Sequence, residues 1–202
     1  MSKAELTRAR IIQHAAEVFN QFGYAGTSLA VLMDATGMKK GGIYNHFDSK
    51  EDLAIAAFDY SVGVVQQRYA TALQGKRHSA DRLRSVIDTF CATIHDPFIK
   101  GGCPLLNTAI DSGHESTSAN EALTQRAKEA MDTWRKMLKK IVRYGQKHDE
   151  IQQAVKPDVV ATIVISTLEG AVMMSGLYGD RTHLNRARSH LADYVNSLLT
   201  PS

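Results

Sequence analysis

Residues 27–51 read TSLAVLMDATGMKKGGIYNHFDSKE. The pattern predicts two short helices joined by a glycine turn, with a third helix starting directly behind them. Leu29, Leu32 and Met33 give the first of these an apolar face, and Thr27 or Ser28 supplies an oxygen to cap its free N–H groups. Gly37 stands where a tight helix–turn–helix corner needs left-handed backbone angles. Met38 plugs the corner, and Ile43 and Phe47 turn the second helix back onto the first. That leaves Lys39, Lys40, Gly42, Tyr44, Asn45 and His46 largely outside. Cations and hydroxyls of this kind hold phosphates, while amides and lysines read base edges in a major groove.

This stretch resembles the DNA-binding domain of the TetR family of bacterial transcriptional regulators. The resemblance rests on Thr27, Ser28, Leu32, Gly37, Met38, Lys40, Gly41, Ile43, Tyr44, His46, Phe47, Ser49, Lys50 and Glu51. Upstream, Ile11, Ala15, Phe19, Phe22 and Gly23 fit the family's first helix. The match implies DNA contacts from Thr27, Ser28, Lys39, Lys40, Gly42, Tyr44, Asn45, His46 and Lys50, with Tyr44 and Lys50 on phosphates and Asn45 and Lys39 as base readers. Four positions depart from the family pattern. Met33 replaces a small alanine, Thr36 precedes the corner glycine in place of alanine, and Lys39 replaces a Ser or Thr cap. Gly42 replaces a larger residue, weakening its helix by about 1 kcal/mol relative to alanine and leaving a bare patch toward DNA. These departures bear on which operator is read rather than on DNA binding itself.

Composition agrees. The chain has 202 residues and a formal net charge of +3, modest for a DNA-binding protein. Its start, MSKAELTRAR, carries no signal-peptide core, and two cysteines make no disulfide framework. A cytoplasmic, nucleoid-associated protein is expected. Residues 1–50 are expected to form the DNA-binding domain and 51–202 a ligand-binding and dimerisation domain, with a helix over about 49–73 connecting them.

The remaining sequence continues as helices, and an all-α fold follows. The first spans about residues 5–22, with Ile12, Ala15, Ala16, Phe19 and Phe22 inward. Ser49 and Asp52 resemble a capping box for the helix to Leu73, which turns Leu53, Ala57, Tyr60 and Val64 inward. Ser79 is expected to cap a helix carrying Leu83, Val86, Ile87, Phe90 and Ile94, stopped by Pro97. A Gly-Gly-Cys-Pro turn opens a short helix to Gly113. Helices over about 119–147, 157–178 and 182–199 complete the chain.

Two functions are assigned to these later helices. The 157–178 helix is apolar around most of its circumference, which signals burial on more than one side; Glu169 near its middle argues against a membrane span. The last helix carries a heptad-like stripe. An intrachain core helix would account for the first pattern, but the family resemblance implies that the paired C-terminal helices form a homodimer interface, made by Ile163, Thr167, Gly170, Met174, Leu177, Leu184, Ala187, Leu191, Tyr194 and Leu198. The family resemblance further implies a pocket for a largely hydrophobic small molecule, for which Phe90, Ile94, Phe98, Leu106, Ile110, Met131, Trp134, Met137, Met173 and Tyr178 are candidate walls. Asn107, Asp111 and His114 are candidate polar groups in it. Cys91 reads as a core thiol. Cys103 precedes a helix start and has a redox alternative, and His95, Asp96, Cys103 and His114 match no tight metal motif. No cofactor and no enzymatic motif are expected. The function implied is a ligand-released repressor that binds an inverted-repeat operator as a dimer. The alternative is a coactivator of the same fold whose partner is protein.

Overall fold

The computed structural model describes residues 2–94, 101–111 and 118–201, with no account of the side chains of 118–120. The candidates Phe98 and His114 and the stops at Pro97 and Gly113 lie outside the described residues. The described residues form nine helices and no strand, so the fold is all-α as the sequence predicts. They are α1 (Lys3–Gly26), α2 (Leu29–Thr36), α3 (Lys40–Tyr44), α4 (Lys50–Leu73), α5 (Ser79–Ile94), α6 (Pro104–Asp111), α7 (Ser118–Lys147), α8 (Pro157–Tyr178) and α9 (Thr182–Ser197).

These helices make two compact units, each drawn from two separate stretches of sequence rather than from one. One unit holds residues 1–64 with 96–130, the other 65–95 with 131–202. The first unit reaches past residue 50 because Leu53 and Ala57 of α4 share a core with α1–α3, and because α6 packs on α1.

In the first unit, a complete capping box starts α1: Ser2 Oγ accepts from the Glu5 N–H at 3.2 Å, and Glu5 accepts from the Ser2 N–H at 2.7 Å. The helix breaks at Gly23, where φ is +71°. Ile11, Ala15, Ala16, Val18, Leu32, Ile43, Phe47, Leu53 and Ala57 form one continuous core under α1–α4. Two residues expected in that core are outside it: Phe22 is 58% exposed and Tyr60 41%. Phe22 directly precedes the Gly23 break, so the helical period no longer governs where it points. A second cluster joins Ala54 and Phe58 of α4 to Leu123 and Ala127 of α7.

In the second unit, α5, α8 and α9 pack on one another. The N-terminus of α5 is capped differently from the expectation. His78 Nδ1, not Ser79, accepts from the Ala80 N–H at 3.3 Å, while Glu150 accepts from the Ser79 N–H at 2.7 Å. Ser79 is the first residue inside the helix, so the cap position falls to His78. The α8 helix is the one described helix long and apolar enough to cross a membrane. Leu168 and Glu169 are buried on its inner side and half of it is covered by the rest of the chain, the signature of a core helix.

Trp134 of α7 is buried between two rings in this unit. It stacks on Phe90 at 5.2 Å and on Tyr69 at 6.3 Å between centroids. A polar lattice then ties the end of the chain to the α7–α8 connection: the Gln152 N–H donates to Leu198 at 3.0 Å and the Thr200 N–H to Glu150 at 3.2 Å.

Candidate DNA interface

The α2–α3 corner is built by its backbone. Ser28 Oγ accepts from the Val31 N–H at 3.3 Å and starts α2. At the other end Gly37 adopts φ +67°, and the N–H groups of Gly37 and Met38 close onto Asp34 and Met33. Such a closure satisfies carbonyls that a helix end otherwise leaves open, and glycine enters left-handed angles without a Cβ penalty. The α3 helix has only five residues and two glycines, so its own propensity cannot sustain it. Ile43 and Phe47, both at least 98% buried, clamp it onto α1 and α2.

That clamp decides what faces outward. Lys39, Lys40, Gly41 and Asn45 are exposed, and Tyr44 and His46 half-exposed. The Lys40 ammonium stands 5.9 Å from the Tyr44 ring centre, which gathers a cation and a phenol at one end of α3. Arg8 of α1, which the sequence gives no reason to single out, lies with its guanidinium 4.7 Å over the Phe47 ring and adds a third cation beside α3.

Three of the residues proposed for DNA contact also make contacts within the chain. Thr27 is fully buried, and its hydroxyl donates to the Gly23 carbonyl at 2.7 Å; the break in α1 frees that carbonyl, and the side chain is consumed in satisfying it. Gly42 is half-buried rather than bare, with the Met38 methyl only 2.8 Å from where a Cβ would stand. Lys50 is half-buried too. Its ammonium donates to the Tyr24 carbonyl at 2.6 Å and lies 4.2 Å over the Tyr24 ring. Burial lowers the Lys50 pKa, with the nearby Asp111 carboxylate opposing that fall.

Among the described residues, none of the apolar pocket candidates lines the cavity between α1, α4 and α6. Asn107 and Asp111 sit on the α1 end instead. Asn107 Nδ2 donates to the Asn20 carbonyl at 2.9 Å and the Gly101 carbonyl at 2.7 Å, and Asn20 Nδ2 donates to Gly102 at 3.0 Å. Asp111 accepts from the Tyr24 N–H at 2.6 Å. The cavity beside them holds about 40 Å³, room for a few waters. Ile110, Met173 and Tyr178 are 54%, 59% and 64% exposed in the chain, because the face of each helix that packs inward is a different one. Phe90 and Trp134 do meet, in the second unit.

The proposed dimer residues divide as well. Leu184, Ala187, Leu191 and Leu198 are at most 8% exposed within a single chain. These four residues of the α9 stripe pack in its seam with α5 and α8, while Tyr194 of the same stripe is half-exposed. On α8 the residues Met174 and Leu177 are exposed, with Val159 and Met173, and Ile163, Thr167 and Gly170 are half-exposed along the same side. A Cβ placed on Gly170 would meet nothing within 4 Å.

A half-buried Cys91 has its pKa pushed up to about 11, chiefly by burial, and stays a thiol at neutral pH. Cys103 is buried at the turn before α6. The Gly-Gly-Cys-Pro-Leu-Leu-Asn stretch thus serves the packing of this turn. A Cβ on Gly101 would lie 2.5 Å from the Asn20 carbonyl oxygen, so the turn fits only as glycine.

A tight corner, a clamped short helix and an outward set of cations and amides define a helix–turn–helix regulator. A family described as "Bacterial regulatory proteins, tetR family" matches residues 11–57, and one described as "Tetracyclin repressor-like, C-terminal domain" matches 79–191. The chain belongs to the TetR family of DNA-binding transcriptional regulators. A TetR regulator from Chloroflexus aurantiacus is 40% identical over the full length of both chains, with a TM-score of 0.92. One from Cytophaga hutchinsonii is 32% identical over 100% of this chain and 99% of the other, with a TM-score of 0.87. The HTH-type transcriptional repressor DhaR of Mycobacterium sp. (strain GP1) is 24% identical over 89% of this chain and 87% of its own length.

Proposed function

We propose that the chain is a ligand-released repressor that binds an inverted-repeat operator as a homodimer. The observation carrying this reading is the exposed surface of α3, where Lys39, Lys40 and Asn45 stand outward on a helix held by buried Ile43 and Phe47. Lys40 and Tyr44 take phosphates, and Lys39 and Asn45 read base edges. Ser28, His46 and the two free donors left on the Lys50 ammonium add backbone contacts.

One five-residue helix reads too few base pairs to find a site in a genome, and a two-fold dimer doubles the reading. The α8 side carrying Val159, Ile163, Thr167, Gly170, Met173, Met174 and Leu177 supplies the face for it. Ligand response is supported by two groups in the second unit. The Trp134 indole N–H and the Thr93 hydroxyl are buried and have no hydrogen-bond partner among the described residues. Buried donors without acceptors are costly, and a ligand bearing an acceptor atom relieves the cost. Phe90 and Trp134, which stack in this unit, are the proposed apolar walls, with Ile94, Met131 and Met137 as further candidates. A ligand releases DNA only by binding the DNA-incompetent arrangement more tightly. Repression is the sense supported by the name of the DhaR relative.

Selection of duplex DNA from a random pool by the purified chain tests the reading. Enrichment of an inverted repeat whose affinity falls steeply with salt is expected. A folded dimer that enriches no sequence overturns it.

A further inference from the structure

The family match for the C-terminal domain spans residues 79–191, yet α6 packs in the same compact unit as α1–α3. Its polar side chains Asn107 and Asp111 reach one place, the Gly23 break at the end of α1. Asp111 accepts from the Tyr24 N–H at 2.6 Å, and Lys50 donates to the carbonyl of the same residue at 2.6 Å. One residue is therefore held from both sides, by an acid from α6 and by the lysine that opens α4. The fit is close. A Cβ on Gly23 would lie 2.7 Å from the Asp111 carboxylate, at a φ of +71° that disfavours a side chain in any case. Asn107, one turn back on α6, adds bonds to the Asn20 and Gly101 carbonyls.

We propose that Asp111 and Asn107 are positioning residues for DNA binding, and that Asp111, through Tyr24, aims the Lys50 ammonium at a DNA phosphate. This rests on the DNA-binding reading above. A lysine ammonium has three donors, of which Tyr24 takes one; the remaining two are directed by the first. Without the carboxylate, Tyr24 loses its N–H partner, its carbonyl shifts, and the lysine regains the freedom of a long side chain. Charge alone predicts the opposite. Removing an acid from a DNA-binding unit strengthens its attraction to phosphates.

The signs therefore separate the two accounts, and random-sequence duplex DNA suffices as the probe because phosphate contacts do not depend on sequence. Asp111→Ala in the full-length chain is expected to bind about tenfold more weakly and to lose about one unit from the slope of log affinity against log salt. Lys50→Ala should lose the same unit, and the double variant no more than either single one. Asp111→Asn keeps an acceptor for the Tyr24 N–H and should restore most of the binding. If Asp111→Ala melts too low to assay, Asn107→Ala in the same cycle with Lys50→Ala is expected to show the same non-additive loss. Wild-type affinity or tighter binding in the alanine variant, or losses that add to those of Lys50→Ala, would overturn the inference. A wild-type chain that bound no duplex would remove the reading and the inference together, whereas wild-type binding with an indifferent Asp111 removes only the inference.

Discussion

The two C-terminal helices look alike in sequence and behave differently in the fold. Along α9, apolar residues recur at three and four, and most of that stripe is buried inside the chain, with Leu191 and Val195 fully buried and Tyr194 half-exposed. Along α8, apolar residues run around most of the circumference; one side is buried at Val160, Val164 and Leu168, while Val159, Met173 and Leu177 remain 48%, 59% and 77% exposed. A periodic stripe shows that a helix has one apolar partner without saying which. Apolar residues in excess of one stripe are the sign of a second partner.

The comparison breaks most sharply at Leu191. Its replacement by alanine is expected to destabilise the chain by about 2–5 kcal/mol, since it removes fully packed methyl groups from a core, read from denaturant melts. If that variant instead kept its stability and lost dimerisation, the α9 stripe would be the interface after all. Leu177→Asp should do the reverse, weakening self-association by about 2 kcal/mol or more in sedimentation, as loss of a central apolar contact does. Its monomeric fold should remain intact by circular dichroism. Gly37→Ala is expected to cost about 1 kcal/mol or more, because alanine meets a steric penalty at left-handed angles, with the loss confined to the first unit in amide exchange.

A smaller effect concerns charge. The run Arg135, Lys136, Lys139, Lys140, Arg143 and Lys147 is partly tied down: Lys139 and Arg135 both bond Asp158, at 2.9 and 2.8 Å. Those bonds, the one from Lys139 first, hold the Asp158 carboxyl below its usual pKa. A depressed acid contributes stability above its unfolded pKa, and that contribution is lost as pH falls through the folded value. Asp158→Asn should therefore match the wild type below about pH 3 and fall slightly behind it above about pH 5. A gap that widened on acidification would contradict the assignment.

Much of the first unit was legible because its signals are local. A glycine corner, Ile43 and Phe47 at helical spacing, and a serine cap each act within a few residues of themselves. What the sequence hid depends on contacts distant along the chain. Nothing near Asn107 or Asp111 announces that their partners are Asn20 and Tyr24, more than eighty residues earlier, so both resemble polar groups in a ligand site. Thr27 was misplaced for a related reason: its hydroxyl answers a carbonyl freed by the Gly23 break, which helical periodicity does not register. The exposure of Met173 and Tyr178 was equally hidden, since an all-round apolar helix does not state which side the rest of its own chain takes.

The aromatic stack has a practical consequence. Trp134 is the single tryptophan of the chain, and it is in the second unit between Tyr69 and Phe90. Its ultraviolet emission is therefore a built-in optical reporter with one address. Excited at the red edge of tryptophan absorption, where the tyrosines of the first unit scarcely absorb, the emission changes in colour and yield with whatever rearranges that stack. Rearrangement of that unit can be followed without a label, and set against DNA binding.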